Sequence, residues 1–578
     1  MARYDKYPEV RVKGYDLHAV AGYERVTTVI KKDLKEQEKN VVVVVDCYPG
    51  VNVEEIVQGL EGIAFEKVIY SDECALKEEA LTKAIDEYLT EDRVFGVLTT
   101  KNFKDVFIDE ELELAREQIE KATGNVLVIG VGAGLITTGD LYIYADLARW
   151  EIQLRYRKGM SNWNITNSDA PILTKYKRGF FVEWRMADRH KMSHFKEFDY
   201  VLDTNVANEP KMVTAEAFFE GLKQTASQPF RVVPYFDPGV WGGQWMKDVC
   251  GLDKDKENFA WSFDGVPEEN SLYLRFGDVR VEVPSIDVVF YQPVELLGTR
   301  VHARFGKEFP IRFDFLDTMG GQNLSLQVHP LTEYIQQTFG MHYTQDESYY
   351  ILDCEEGADV YLGLKENVDK EAMMSDLYAA QRGEKSFDAD KYINTFKAHK
   401  HDHFLIPAGT IHCSGSNTMT LEISATPYIF TFKLWDWDRL GLDGLPRPIH
   451  LQHGEKVIDW SRTTKWVKEN LVDQVQVVEE GEGYVEERTG LHEREFIETR
   501  RHWFSEKVLH TTHNSVNMLN LVEGEEAIVE SPTGAFEPFV VHYAETFIVP
   551  ESVKEYTIRP YGVSEGKKIA TIKAFVRN

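Results

Sequence analysis

Cysteine is scarce in this chain of 578 residues. There are five (Cys47, Cys74, Cys250, Cys354 and Cys413), an odd and scattered set with no C-x-x-C pair. That usage argues against a disulfide framework and for reduced thiols in an intracellular compartment. A long apolar run is also missing: no stretch of ~18 apolar residues occurs, and the opening MARYDKYPEV lacks the apolar core of a secretory signal. A soluble, cytoplasmic protein is expected. Positive charge is in deficit, with 65 Lys plus Arg against 95 Asp plus Glu and a net charge of −30. Such a surface repels polyanions and excludes nucleic acid and anionic membrane as partners. A phosphorylated substrate would need a local cationic pocket. Low-complexity linkers are absent as well. What is present is 43% hydrophobic and 12% aromatic residues, enough for several cores, and at ~150 residues per domain the length predicts three or four domains.

Residues 1–228 read as an α/β domain. The run Val41–Val45 has the character of a strand buried on both faces. Further strands are predicted at Lys67–Tyr70, Val94–Leu98, Val126–Ile129, Leu141–Tyr144 and Tyr200–Leu202, with helices at Glu78–Tyr88 and Glu110–Lys121 between them. Strand and helix in alternation predict an open parallel sheet. The turn Asp46-Cys47-Tyr48-Pro49-Gly50-Val51-Asn52 stands where a phosphate-cradling loop belongs, but it lacks the glycine run and the Lys-Ser/Thr pair. The run Gly130-Val131-Gly132-Ala133-Gly134 misses the dinucleotide spacing, with Leu135 where the last glycine is needed, and reads as a backbone turn. The layout, with Leu141–Ala145 leading into Arg149, Arg155 and Arg157, faintly resembles uridine-kinase-like P-loop proteins. That resemblance implies a degenerate kinase fold with no engine for phosphoryl transfer, and the arginines read as a solvated helix face.

The chemistry is concentrated in residues 321–413. In GQNLSLQVHP (Gly321–Pro330), period-two alternation puts Gln327 and His329 on one face of a strand. Glu347 opens the strand-like DESYYILD, and the turn Pro407-Ala408-Gly409 delivers Thr410-Ile411-His412. Two imidazoles, a carboxylate and an amide suit a divalent metal with one position left open. An apolar core has no use for such a set pointing inward unpaired. His399, His401 and His403 place three imidazoles at strand spacing, which either a second metal site or a solvated loop would explain.

LSLQVHP, the Glu entering YYILD, PAGTIH, LEIS at Leu421–Ser424 and DWDR at Asp436–Arg439 occur in an order that resembles class I mannose-6-phosphate isomerases, which are cupin-type, zinc-dependent enzymes. The likeness spans roughly residues 230–578, with Trp241-Gly242-Gly243 similar to the family's entry motif. It implies a cupin barrel over 229–460 with a helical insertion at 365–396, and a second cupin-like barrel over 461–578 without a ligand set of its own. The whole is then a multidomain chain, an α/β kinase-like domain followed by two cupin β-barrels.

The resemblance further implies one zinc per chain on Gln327, His329, Glu347 and His412, and interconversion of mannose 6-phosphate and fructose 6-phosphate through an enediolate. Glu422 is expected to move the proton or to hold a ligand, hydroxide at the metal being the other base. The family's catalytic Arg falls on Lys433, and its substrate-holding Lys falls on Gln345. Phosphate recognition would then rely on Lys433, Ser325, Lys365 or Arg447, while Asp436, Asp438 and Arg439 form an ion-paired turn. These two departures motivate an alternative, a catalytically weakened sugar-phosphate-sensing cupin protein. An iron cupin oxygenase is disfavoured by the extra Gln327.

Overall fold

The computed structural model describes residues 4–35, 40–426, 428, 430–442, 444, 446–490, 492 and 494–577. The chain divides into two compact units that are not simple sequence halves. One, the α/β unit, comprises residues 9–224 and 271–291; the other, the β unit, comprises 1–8, 225–270 and 292–578.

The α/β unit is built on a sheet of seven strands in the order Lys67–Tyr70, Val126–Gly130, Val42–Cys47, Leu141–Asp146, Tyr200–Asp203, Lys211–Thr214 and Ala19–Ala21. The valine run lies near the middle, and Val43, Val44 and Val45 have no exposed surface. The first five strands are parallel, as alternation predicts, but the last two pair antiparallel and make the sheet mixed. A second small sheet joins Glu9–Arg11 to Ser271–Phe276 and Val279–Pro284. The expected strand Val94–Leu98 does not form. The Asp92 carboxylate accepts the Val94 and Phe95 amides, at 2.7 Å each, and the Val97 amide donates to the Tyr88 carbonyl at 2.8 Å. Those donors are therefore lost to a ladder.

Two further expectations for this unit are settled by hydrogen bonds. The Gly132 and Gly134 amides donate to the Asp46 carboxylate at 3.0 and 3.1 Å, so the glycine run is a turn whose donors are already spent. The arginines are not a uniformly solvated face. Arg149 is buried against Asp188 at 2.6 Å, and Arg155 donates to the Gly50 and Thr204 carbonyls at 2.9 and 2.5 Å, leaving Arg157 exposed. The helix Arg149–Arg157 follows directly on the strand Leu141–Asp146, whose last carbonyls accept from Tyr48 and Thr204.

The β unit contains four antiparallel sheets. Six strands run in the order His403–Ile406, Asp346–Cys354, Thr418–Ala425, Arg312–Asp317, Trp261–Gly265 and Tyr235–Asp237. Five run in the order Ile393–Lys397, Asp359–Leu364, His412–Ser414, Leu326–Val328 and Phe432–Trp435. Within the expected insertion, helices occupy Lys370–Gln381 and Ala389–Tyr392, after which the chain returns to a strand. A second pair of sheets follows. Its six strands are Gln476–Gly481, Tyr484–Gly490, Ile497–Phe504, Ile569–Val576, Asn517–Glu523 and Thr546–Val549, and its four are Val508–Thr511, Glu555–Pro560, Glu526–Glu530 and Phe539–His542. Phe504, Leu519, Leu521, Phe547 and Ile558 form the core of this pair.

Candidate metal centre

The five-stranded sheet supplies three of the four expected ligands. Gln327 lies on Leu326–Val328 directly opposite His412 on the neighbouring strand, and His329 follows one residue past the strand end. Glu347 comes from the six-stranded sheet, next to the start of Asp346–Cys354. The two sheets meet here: His412 Nε2 is 2.7 Å from Glu347 Oε1, and His329 Nε2 is 3.1 Å from Glu347 Oε2. The Gln327 amide nitrogen lies 3.1 Å from His412 Nε2, and the same amide turned over offers its oxygen to a cation. Both imidazoles and the carboxylate are buried, with their ligand atoms all within 4.8 Å of one another.

The tautomers decide what this cluster can hold. His329 Nδ1 donates to the Phe430 carbonyl and His412 Nδ1 to the Thr410 carbonyl, each at 2.9 Å. A carbonyl only accepts, so in the neutral rings both protons sit on Nδ1 and both Nε2 lone pairs face Glu347. Lone pairs facing a carboxylate repel unless a cation or a proton lies among them. His329 Nε2 and Glu347 Oε1 are buried without a hydrogen-bond partner, which fits a divalent metal held by these donors. Without one, a proton takes the role. Burial lowers the His329 imidazole, but the Glu347 carboxylate outweighs it and the ring ends raised. Burial opposes charge on Glu347, yet the two imidazoles hold its carboxyl well below the ordinary range.

The turn before His412 is fixed by backbone geometry. Gly409 has φ +89°, a conformation that costs little only for glycine, and its amide donates to the His329 carbonyl at 3.0 Å. A Cβ there would meet Leu331 and the Val457 carbonyl at 3.0 Å. Gly409→Ala is expected to cost about 1–2 kcal/mol, read as a lowered Tm; an unchanged Tm would show that the turn relaxes freely.

Glu422, on Thr418–Ala425, stands cross-strand from Asp314 and Tyr349. Burial, then Glu347 and Asp314, push its carboxyl well above the ordinary range, which favours the protonated form. Between the two acids sits Gln345, which the sequence marked only as a departure from the family. Its amide donates to Glu347 Oε2 at 2.9 Å and to Glu422 Oε1 at 3.4 Å, while its oxygen accepts the Phe430 amide at 3.0 Å. The signal was available: Gln345 lies two residues before Glu347, so extended backbone points both the same way. Gln345→Leu is expected to weaken metal retention by about 10–100-fold in a chelator competition. Unchanged retention would show that it does not orient Glu347.

The remaining expected residues lie in different surroundings. Lys433 is half-buried opposite Gln327 on the next strand, and Ser325 is buried two residues before Gln327. Lys365 is exposed, its amine on the Asp390 carbonyl. Arg447 and Arg439 both pair with the buried Asp436, which makes DWDR an ion-paired turn. The three histidines of 399–403 diverge. His399 pairs with Asp402, His401 is held between Tyr350 and Glu523, and His403 is fully buried, so the first two lie on the loop and the third opens the strand His403–Ile406. Among the described residues, the His329–Glu347–His412 group is the only one that could hold a metal, all five cysteines are free, and no helix is long and apolar enough to cross a membrane.

Comparison with known proteins gives two separate likenesses. Residues 22–227 match a family model described as a domain of unknown function (DUF8485). The chain is 27% identical over 234 residues to the probable mannose-6-phosphate isomerase GmuF of Bacillus subtilis (strain 168), covering 40% of this chain and 69% of the relative. It is 26% identical over 239 residues to the mannose-6-phosphate isomerase ManA of the same organism, with the same coverage. A solved mannose 6-phosphate isomerase from Bacillus subtilis superposes with TM-score 0.49 and 18% identity, over 60% of this chain and 99% of that one. About 40% of the chain is thus similar in sequence to mannose-6-phosphate isomerases, and residues 22–227 match a domain of unknown function.

Proposed function

We propose that the β unit is a metal-dependent aldose–ketose isomerase that interconverts mannose 6-phosphate and fructose 6-phosphate. The observation that carries this reading is the pair of buried imidazole lone pairs turned on one carboxylate. The likeness of part of the chain to mannose-6-phosphate isomerases supports the reaction class. Gln327, His329, Glu347 and His412 would hold the ion, and zinc suits the donor set because the reaction needs no redox change. Bound there, a divalent cation supplies positive charge beside the two oxygens on which the enediolate develops.

The chain's own residues carry the rest. The Glu422 carboxylate would take the proton from C2 of the substrate and, as the carboxylic acid so formed, return it at C1; burial and the neighbouring acids raise its proton affinity for that exchange. Gln345 ties that carboxyl to the ligand Glu347. Lys433, opposite Gln327, brings positive charge to the same face of the sheet as a ligand, with Ser325 nearby in sequence for the substrate's phosphate or hydroxyls. The two pairs of antiparallel sheets are read as two cupin barrels, the first carrying the metal. The reduced cysteines fit a cytoplasmic enzyme. In the α/β unit the spent Gly132 and Gly134 amides favour a scaffold over a phosphoryl-transfer site.

The test is fructose 6-phosphate formation from mannose 6-phosphate by purified, zinc-loaded protein. Turnover that is lost on chelation and regained with zinc is expected. No conversion of any aldose phosphate would sink the reading.

A further inference from the structure

A second polar cluster lies inside the later pair of sheets, on strands that contribute nothing to the metal centre. His502 on Ile497–Phe504 is cross-strand from Thr571, and Arg500 from Lys573, on Ile569–Val576. Cross-strand partners share a face, and the same face carries Phe504, Ile569, Leu519 and Leu521 of the core. The apolar interior therefore ends in a polar group. From the opposing sheet His510 reaches in, its ring 4.4 Å from that of His502 and stacked on Tyr556 at 5.2 Å.

The group is unsatisfied. Neither ring nitrogen of His510, nor Nδ1 of His502, nor the Thr571 hydroxyl has a hydrogen-bond partner, and these side chains are almost wholly buried. Lys573 is 1% exposed. Its amine reaches the His513 ring nitrogen, at a long 3.4 Å, and lies 5.7 Å from the centre of the Phe575 ring, with no ion-pair carboxylate among the described residues. The two nearest acids are taken: Glu486 by Arg500 at 2.9 Å and His502 Nε2 at 3.1 Å, Glu498 by Arg500 at 2.6 Å. Buried polar atoms are normally paired, and a buried cation without a counter-charge is expensive. Burial lowers the Lys573 amine to about 8, which still leaves it mainly charged at neutral pH.

We propose that Lys573, Thr571, His502 and His510 form a binding site for a phosphate group, distinct from the metal centre. An ammonium, a hydroxyl and imidazole edges converging from three strands suit an oxyanion with several oxygens better than a planar carboxylate, and a lysine amine binds phosphate as a point charge. Arg500, cross-strand from Lys573, and His513, beside the Lys573 amine, are partly exposed, so the cluster lies close to the surface. The recognition chemistry is the same for free phosphate and for phosphate carried by a sugar. This site does not depend on the isomerase reading.

Calorimetric titration of the full chain with inorganic phosphate, fructose 6-phosphate and unphosphorylated mannose tests it, with and without metal. Saturable phosphate binding that survives metal removal is expected. It should weaken about tenfold or more in Lys573→Met and by a smaller factor in Thr571→Val, each variant first shown to unfold cooperatively. Should Lys573→Met not fold, the Thr571→Val titration decides by itself. Equal affinity for the two phosphates assigns the site to free phosphate, and tighter fructose 6-phosphate binding assigns it to a phosphorylated sugar. The proposal is overturned if no saturable binding occurs, if the foldable variants bind as the unaltered chain does, if chelation abolishes binding, or if mannose binds equally well.

Discussion

His412→Ala is expected to leave the purified protein without its metal. His412 Nε2 is 2.7 Å from Glu347 and 3.1 Å from the Gln327 amide, so one truncation removes a ligand and unseats two others. Losing an outer partner of a ligand costs about 10–100-fold in affinity, and losing a ligand in a buried site of four should exceed that. Metal content after gel filtration measures it. His401→Ala is the control, because that ring bonds Tyr350 and Glu523 rather than the cluster, and it should keep its metal. Stoichiometric metal in His412→Ala would move the centre elsewhere. Retention should also fall with acid, since a proton competes for Nε2. The sign follows from the shift: Glu347 raises His329 despite burial, so competition begins at a higher pH than for an ordinary imidazole.

The second large effect is expected from Glu422→Gln. Burial and the neighbouring acids favour the uncharged carboxyl, and glutamine copies its shape without a charge, so fold and metal content should be preserved. What glutamine cannot do is release and regain a proton. If Glu422 moves the proton, kcat for mannose 6-phosphate should fall about 10²–10⁴-fold. Activity within a few-fold of the unaltered enzyme would leave Glu422 only the task of holding Gln345, from which it lies 3.4 Å. Reading kcat and metal content on the same preparation separates the two roles.

Much of the candidate metal centre is legible in the sequence. Alternation in LSLQVHP fixes that Gln327 and His329 share a direction, and the Pro-Ala-Gly turn fixes that a strand begins near His412. What alternation does not encode is which strands become neighbours. Gln345 shares Glu347's direction in the sequence, but its bond to Glu422 exists only because Asp346–Cys354 pairs with Thr418–Ala425. The phosphate-site cluster was invisible for the same reason. His502, His510 and Thr571 are ordinary strand residues until two sheets close over them.

The α/β unit teaches the converse. Its valine run and its helices follow local pattern, and the five parallel strands appear where hydrophobicity puts them. Its failures are hydrogen-bond decisions. Val94–Leu98 has strand composition but its amides are captured by Asp92 and Tyr88, and the Gly130–Gly134 run has donors suited to an anion that Asp46 already supplies. Competition for a backbone donor is settled by whichever acceptor the fold brings within 3 Å or so, which no window of sequence contains.

The sequence by itself determined the donor types, their facing along each strand and the sharp turn before His412, because these depend on residue chemistry and a two-residue period. The tertiary structure alone decided the tautomers, the raised carboxyl of Glu422, the bridging place of Gln345 and the joining of residues 271–291 to the α/β unit. Each of those arises from groups far apart in the chain being brought together and stripped of water, where a single charge or carbonyl sets the proton balance of its neighbour.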